Sequence, residues 1–282
     1  MTNSNRNCLI CDSKESEAVL EYNSPDSYEF SMGIDAKNYF REWVRCTSCN
    51  FHYSVYSRDS ALFDKIYEEK YRSATSSWRG KSVEEVFDKI VNLPEEESET
   101  KQRVNWIKNT INKAVEEEVI TLHDSPRNFL DIGGGSGIFA YKFQDKDWIP
   151  HLIDPSLDET FAKNRLKMQF VKDYYAPRKF KENFDLISLI YVLEHLTKPL
   201  ELMKSLHTDM NDDSLLYVEV PDALAFRRKL PEDDIFNSTH LWMFDPKSLV
   251  TFLDKAGFEP ISLSRVKTKR DNYALMSLST KK

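Results

Sequence analysis

The chain has four cysteines in 282 residues, and all four lie in its first 50 positions as Cys8-x-x-Cys11 and Cys46-x-x-Cys49. Two C-x-x-C pairs with no thiol left over can supply four sulfur ligands to one tetrahedral ion. The spacing predicts a zinc site made by Cys8, Cys11, Cys46 and Cys49. A closed all-sulfur shell leaves no open position for substrate or water, so this zinc is expected to be structural. The competing readings are two disulfides or four unrelated buried thiols. Disulfides fit poorly with an N-terminus, "MTNSNRNCLICDS", that lacks the apolar core of a signal peptide. The 34 residues between the pairs exceed a minimal zinc ribbon and predict a small β-rich insertion.

A second cluster of unusual composition is "FLDIGGGSGIFA", residues 129–140. Of only seven glycines in the chain, four fall here as Gly133, Gly134, Gly135 and Gly137. Glycine is used where the backbone must take a positive φ or approach a ligand closely. Residues 127–132 read as a short buried strand carrying Asp131, and residues 138–146 read as an amphipathic helix. Strand, glycine turn and helix start together form a nucleotide-binding corner, because the first amides of a helix have no intrahelical partner. The dinucleotide fingerprint is G-x-G-x-x-G, whereas these glycines run Gly133-x-Gly135-x-Gly137, which disfavours a nicotinamide enzyme.

Around these residues the chain divides into three predicted parts. Residues 1–58 form the zinc module, with strand-like pieces at "EWVRC" and "FHYSVYS". Residues 59–124 are helical in pattern, through "ALFDKIYEEKYRS", "SVEEVFDKIVNL" and "TKQRVNWIKNTINKAVEEEVITL". From residue 125 to 282 strands and helices alternate, which predicts a parallel sheet covered by helices on both faces. The last two strands, "FEPISLSRVK" and "NYALMSLST", have no helix between them and must pair as an antiparallel hairpin. The expected fold is α/β, a seven-stranded Rossmann-like sheet. With 39 basic and 46 acidic residues the net charge is −7, and no basic cluster surrounds the cysteines, which makes a nucleic-acid partner unlikely. The absence of any stretch of about 18 apolar residues predicts no membrane span, and a cytoplasmic location is the default expectation.

The acid followed by G-x-G-x-G in "FLDIGGGSG" resembles the first motif of the class I S-adenosylmethionine-dependent methyltransferases, and the resemblance covers about residues 105–280. It implies that Asp131, Gly133, Gly135 and Gly137 contact the cofactor, with Asp131 toward its ammonium group. Asp154, at the end of "WIPHLID", takes the place of the acid that holds the ribose diol, where the family more often has Glu. Asp173, in "VKDYY", takes the place of the acid near the adenine amino group. "YVLEHLTKPLELMKSL", "VEVPD" and "HLWMFDPKSLVTFLDKAGF" are similar to the branch that methylates small molecules, which places Tyr191 to His195 at the cofactor or substrate mouth. "CLICDS", "RCTSCNF" and "IYEEKY" resemble bacterial methyltransferases of nucleotide-linked sugars, which carry such a zinc module ahead of the catalytic domain.

Methyl transfer to a protonated nucleophile needs alignment and a base. Of six histidines, His195 and His240 fall at predicted ligand-facing positions, and histidine titrates in the right range. Glu194 would orient His195 or bind a substrate hydroxyl; the alternative is that Glu194 and His195 only brace the loop. Tyr67 and Tyr71, one helical turn apart, either close over a sugar or pack as ordinary aromatics. Arg227, Arg228 and Lys229 either meet a diphosphate or form a solvated basic turn. The expected acceptor is a small polar molecule, a sugar on a nucleotide or a surface-glycan precursor. An RNA methyltransferase using the zinc module as a grip, and a non-catalytic scaffold, are the alternatives.

Overall fold

The central strand of the main sheet, β7, has the sequence "FDLISLI" and is apolar along nearly its whole length. Only its last residue is not buried. A strand covered on both faces by helices loses the usual in–out alternation and reads in this way. In the computed structural model, which describes residues 6–31, 33–37, 39–56 and 82–282, β7 (Phe184–Ile190) lies at the middle of a seven-stranded sheet. Its companions are β4 (Arg127–Ile132), β5 (Trp148–Ile153), β6 (Gln169–Val171), β8 (Met210–Pro221), β10 (Phe258–Lys267) and β11 (Tyr273–Lys281). The order across the sheet is β6-β5-β4-β7-β8-β11-β10. The first five run parallel, and β11 is antiparallel to both β8 and β10, which is the predicted closing hairpin. The fold is the α/β, Rossmann-like sheet expected of the sequence.

β4 pairs with β5 on one side and β7 on the other, so successive connections leave it in opposite directions. Such a reversal opens a crevice beyond the carboxyl ends of the strands, where open α/β sheets bind ligands. The glycine turn follows β4 and therefore stands at that crevice. Two helices from the preceding segment pack near it. Val83–Val91 opens on a capping box between Ser82 and Glu85, and it buries Phe87 against Phe161 and Leu166. Glu99–Glu116 buries Val104, Ile107, Ile111 and Ala114, spaced so as to share one helix face. That face packs on Phe129, Tyr217 and Met276 of the sheet and on Phe143 of the helix after the glycine turn. The stretch 57–81, with Tyr67 and Tyr71, lies outside the described residues.

The N-terminal residues form a second sheet, ordered β1-β2-β3-β9, from β1 (Ser16–Tyr22), β2 (Arg41–Cys46), β3 (His52–Tyr56) and β9 (Trp242–Met243). The fourth strand comes from the segment after β8, nearly 200 residues further along the chain. Phe51 and Tyr53 pack with Trp242, Phe244 and Phe252, so the module and the main sheet share one core. Polar ties join the same parts: Tyr56 Oη donates to the Ser238 carbonyl (2.6 Å), and buried Arg41 donates to the Phe236 carbonyl (2.5 Å). Asp26 accepts from the Ser238 amide (2.5 Å) and hydroxyl (2.9 Å). The segment from Phe236 to Met243 is thus held by residues of the N-terminal sheet and its loops, although it lies in sequence after β8.

Candidate active site

Asp131 sits one residue from the end of β4, directly across from Ser188 of β7. Its side chain is 1 % exposed, and the Ser188 hydroxyl donates to Oδ1 at 2.6 Å. Oδ2 is buried and has no hydrogen-bond partner among the described residues. Burial pushes this carboxyl up to about 7, the Ser188 bond opposes the rise, and the nearby Asp154 charge adds to it. Oδ2 faces the glycine turn so closely that a Cβ on residue 134 would lie 2.2 Å from it. Gly133, Gly135 and Gly137 take φ of 76°, 58° and 72°, left-handed backbone that side chains resist. The turn is therefore shaped around an acid with one idle oxygen.

Asp154 follows β5 and is fully buried. One carboxylate oxygen accepts from the Gly135 amide (2.8 Å), and the other from the amide and hydroxyl of Ser156 (both 2.7 Å). It fixes the turn's shape from the neighbouring strand. Asp173 lies at the mouth, paired with Lys179 and accepting from the Tyr174 amide; those hydrogen bonds hold its carboxyl below the usual range. Two clefts meet at Gly133. One, of about 330 Å3, is bordered by Ile153, Pro155, Asp173, Tyr174, Val192 and His195. The other, of about 940 Å3, is bordered by Asp131, Gly134, Ser136, Arg103, Lys172 and residues of the Val83–Val91 helix.

Arg103 and Glu219 were not singled out by sequence. Arg103 reaches from the Glu99–Glu116 helix to make a two-pronged ion pair with Glu219 of β8, its Nη2 standing 2.6 Å from Oε1. The Tyr217 hydroxyl donates to the same carboxylate (2.7 Å). Burial pushes Glu219 up, but the Arg103 charge and the bonds from Arg103, Tyr217 and Tyr191 outweigh it and leave it below the usual carboxylate range. Glu219 was the one visible signal, an acid within the apolar run "SLLYVEV". Arg103 carries none, being one charge among many on its helix.

The segment after β7 contains the other predicted residues. Tyr191 takes a left-handed φ of 53° and its amide donates to the Glu219 carbonyl (2.9 Å). Val192 and His195 border the smaller cleft, whereas Leu193 and Glu194 turn inward and are fully buried. His195 and His240 meet with ring centroids 4.9 Å apart. His195 Nδ1 lies 3.0 Å from the Thr239 carbonyl, and His240 Nδ1 2.7 Å from the Ile235 carbonyl. Carbonyl oxygens only accept, so each Nδ1 carries the hydrogen. Glu194 Oε1 is 3.9 Å from His195 Nε2. Burial pushes the Glu194 carboxyl up to about 8, and the Glu219 charge adds to this. Burial likewise holds the His240 imidazole below its ordinary value. The three predicted catalytic side chains are therefore one cluster. Arg227 and Arg228 are exposed and Lys229 is paired with Asp233 and Asp271, so this triplet borders neither cleft.

The four cysteine sulfurs lie within 4.8 Å of one another. Cys8 and Cys49 are 3.4 Å apart, and Cys11 and Cys46 3.5 Å. Zinc with four Zn–S bonds of about 2.3 Å sets its sulfurs about 3.8 Å apart, so the cluster fits that ion. The two loops repeat one pattern. Cys8 and Cys46 each donate to the carbonyl five residues on, each accepts from the amide four residues on, and Asp12 and Asn50 take φ of 60° and 63°. The amides of Cys49 and Ser48 overcome burial and hold Cys46 down at about 7, whereas burial pushes the Cys8 and Cys49 thiols up.

Comparison with known proteins agrees with this geometry. The model of the methyltransferase domain family matches residues 104–263, more than half of the chain, and the chain belongs to that family. It is an S-adenosylmethionine-dependent methyltransferase. Its fold is similar to that of the Burkholderia thailandensis 1,6-didemethyltoxoflavin-N1-methyltransferase, solved with that compound and S-adenosylhomocysteine bound. The TM-score is 0.56 at 15 % identity, over 83 % of this chain and 97 % of the other. The magnesium protoporphyrin IX methyltransferase of Synechocystis matches with a TM-score of 0.49 and 11 % identity, over 79 % and 100 % of the two chains. An S-adenosylmethionine-dependent methyltransferase from Clostridium acetobutylicum matches at 0.49 and 12 %, over 70 % and 96 %. No curated protein matches the chain by sequence. Among the described residues no helix is long and apolar enough to cross a membrane.

Proposed function

We propose that this methyltransferase acts in the cytoplasm on the sugar unit of a nucleotide-linked sugar or surface-glycan precursor, and that it carries one structural zinc on Cys8, Cys11, Cys46 and Cys49. The observation that carries the cofactor site is the idle Oδ2 of Asp131, aimed into a turn of glycines at the point where strand order reverses. A buried, unpartnered acceptor is costly, and an ammonium donor would relieve it. S-adenosylmethionine, when bound, supplies the electrophilic methyl group. Asp131 would hold its ammonium group, Gly133, Gly135 and Gly137 would let its chain pass, and Asp154 would meet the ribose by exchanging the Gly135 amide. Asp173 and Tyr191 would border the adenine end and the acceptor side.

Glu194, His195 and His240 activate the acceptor, and of the three His195 borders the smaller cleft. The larger cleft is walled by Ser82, Val83, Val86 and Ile90, which supports a role for the helical segment 59–124 as a lid over the sheet domain 125–282. The zinc module 1–58 contributes the polar ties that hold the His240 segment. A small acceptor is in keeping with the B. thailandensis neighbour, whose bound acceptor is a small molecule. An RNA acceptor is disfavoured by the net charge of −7. The test is incubation with labelled cofactor and a panel of nucleotide sugars, small glycans and RNA, read by product mass. A methylated sugar is expected; robust methylation of RNA instead would overturn the acceptor class.

A further inference from the structure

Glu194 is a carboxylate at 0 % exposure whose two oxygens have no hydrogen-bond partner among the described residues. A buried carboxylate without partners is expensive, and either a proton or a cation must relieve it. What surrounds it is the donor set of a metal. Ligand atoms of Glu194, His195 and His240 lie within 4.8 Å of one another, and all three residues are buried. Both histidines have their Nδ1 hydrogen fixed on a backbone carbonyl, Thr239 for one and Ile235 for the other. That arrangement orients a ring so that Nε2 can serve as a metal ligand, and it is what metal-bound histidines nearly always show. The 3.9 Å between Glu194 Oε1 and His195 Nε2 is too long for a hydrogen bond. Two ligands each about 2.1 Å from one ion, at near-octahedral to tetrahedral angles, stand about 3.0–3.4 Å apart. A small side-chain shift closes that gap.

The backbone holds the set together. The Leu241 amide donates to the Glu194 carbonyl (2.7 Å), while the ring of His195 bonds back to Thr239, so the segments bearing the three side chains are tied in both directions. His195 also borders the cleft that reaches Gly133. We propose that Glu194, His195 and His240 form a second metal site, distinct from the four-cysteine cluster, that binds one divalent first-row cation and leaves positions open to the hydroxyl oxygens of the acceptor. This rests on the methyltransferase reading and deepens it. A carboxylate with two imidazoles suits Mn2+, Co2+ or Zn2+, whereas the four thiolates of the other cluster suit Zn2+ and disfavour Mn2+. With the cation bound the two histidines serve as its ligands. A hydroxyl beside it ionises nearer neutral pH, its O–H bond breaking and the proton passing to solvent. The acceptor class this favours is a polyol with adjacent hydroxyls able to chelate.

The test uses the full chain, isolated with zinc in its cysteine cluster and titrated with Mn2+ alone, then with Co2+ alone. Electron paramagnetic resonance should show the free Mn2+ signal suppressed up to one equivalent per chain. Glu194→Gln and His240→Gln should weaken that binding by at least about tenfold, with zinc content and S-adenosylhomocysteine binding unchanged. Mn2+ should raise the melting temperature of the wild type and not that of Glu194→Gln. Failure to bind either cation, or equal binding by Glu194→Gln, would overturn the metal site. If cofactor binding persists in that case, the methyltransferase reading stands; loss of cofactor binding in the wild type would strike at that reading instead.

Discussion

Asp131 Oδ2 occupies the space that a side chain on residue 134 would need, with the ideal Cβ position only 2.2 Å away. The acid and the glycine are thus one device. Glycine at 134 lets the carboxylate come to the turn.

Gly134→Ala should therefore do more harm than an ordinary glycine-to-alanine change. Its methyl also meets Leu152 at 2.6 Å, and the nearest atoms belong to side chains packed beneath the turn. Overpacking of this kind costs about 1–3 kcal/mol. Thermal melting should show that loss, and calorimetry should show cofactor affinity falling with it. A variant that binds as tightly as the wild type would mean the turn is not the cofactor's seat.

The Arg103–Glu219 pair should support the fold and carry a pH dependence. Removing the arginine leaves a buried carboxylate alone, and breaking such a pair costs about 3–5 kcal/mol. Glu219 is held below its ordinary range. Its contribution is therefore complete above the unfolded value of about 4.3 and is lost as pH falls through the lower folded value. Denaturant unfolding of Arg103→Ala at neutral pH should show the deficit, and the deficit should shrink on acidification.

Cys46→Ser should abolish the proposed zinc binding and loosen a distant segment. β3 pairs with β9, and the Ser54 amide donates to the Leu241 carbonyl at 2.9 Å. Hydrogen exchange should quicken at 238–243 as well as around the cysteines, while β4 and β7 stay protected. Unchanged exchange at 238–243 would show that the module does not hold this segment.

If His195 serves the acceptor and Asp131 the cofactor, as proposed, His195→Ala should lower kcat by about 10²–10⁴ and leave cofactor affinity unaltered. A change confined to cofactor affinity would reverse that assignment.

The parts of the site legible in the sequence are those that a local pattern concentrates. Four glycines in five positions after an apolar strand, and two C-x-x-C pairs, need no tertiary knowledge. Glu194 and His195 are neighbours in sequence, but His240 belongs to the loop after β8, and it is a backbone pairing through Leu241 that brings the two loops together. Arg103 with Glu219, and Asp131 with Ser188, unite residues far apart in the chain, so no window of sequence contains the signal. β9 is two residues long and pairs with a strand from the other end of the chain, which leaves no periodicity to read.

Calorimetric titration with S-adenosylhomocysteine across pH tests the central claim most directly, since Asp131 must be ionised to meet an ammonium and its carboxyl sits at about 7. One ligand per chain is predicted, with affinity rising and protons released from the protein as pH goes from about 6 to about 8. Asp131→Asn should lose about 1.5–3 kcal/mol of binding, the worth of a charge-assisted bond, and with it the pH dependence. Wild-type protein that binds neither S-adenosylhomocysteine nor S-adenosylmethionine, yet binds NAD tightly, would contradict the account.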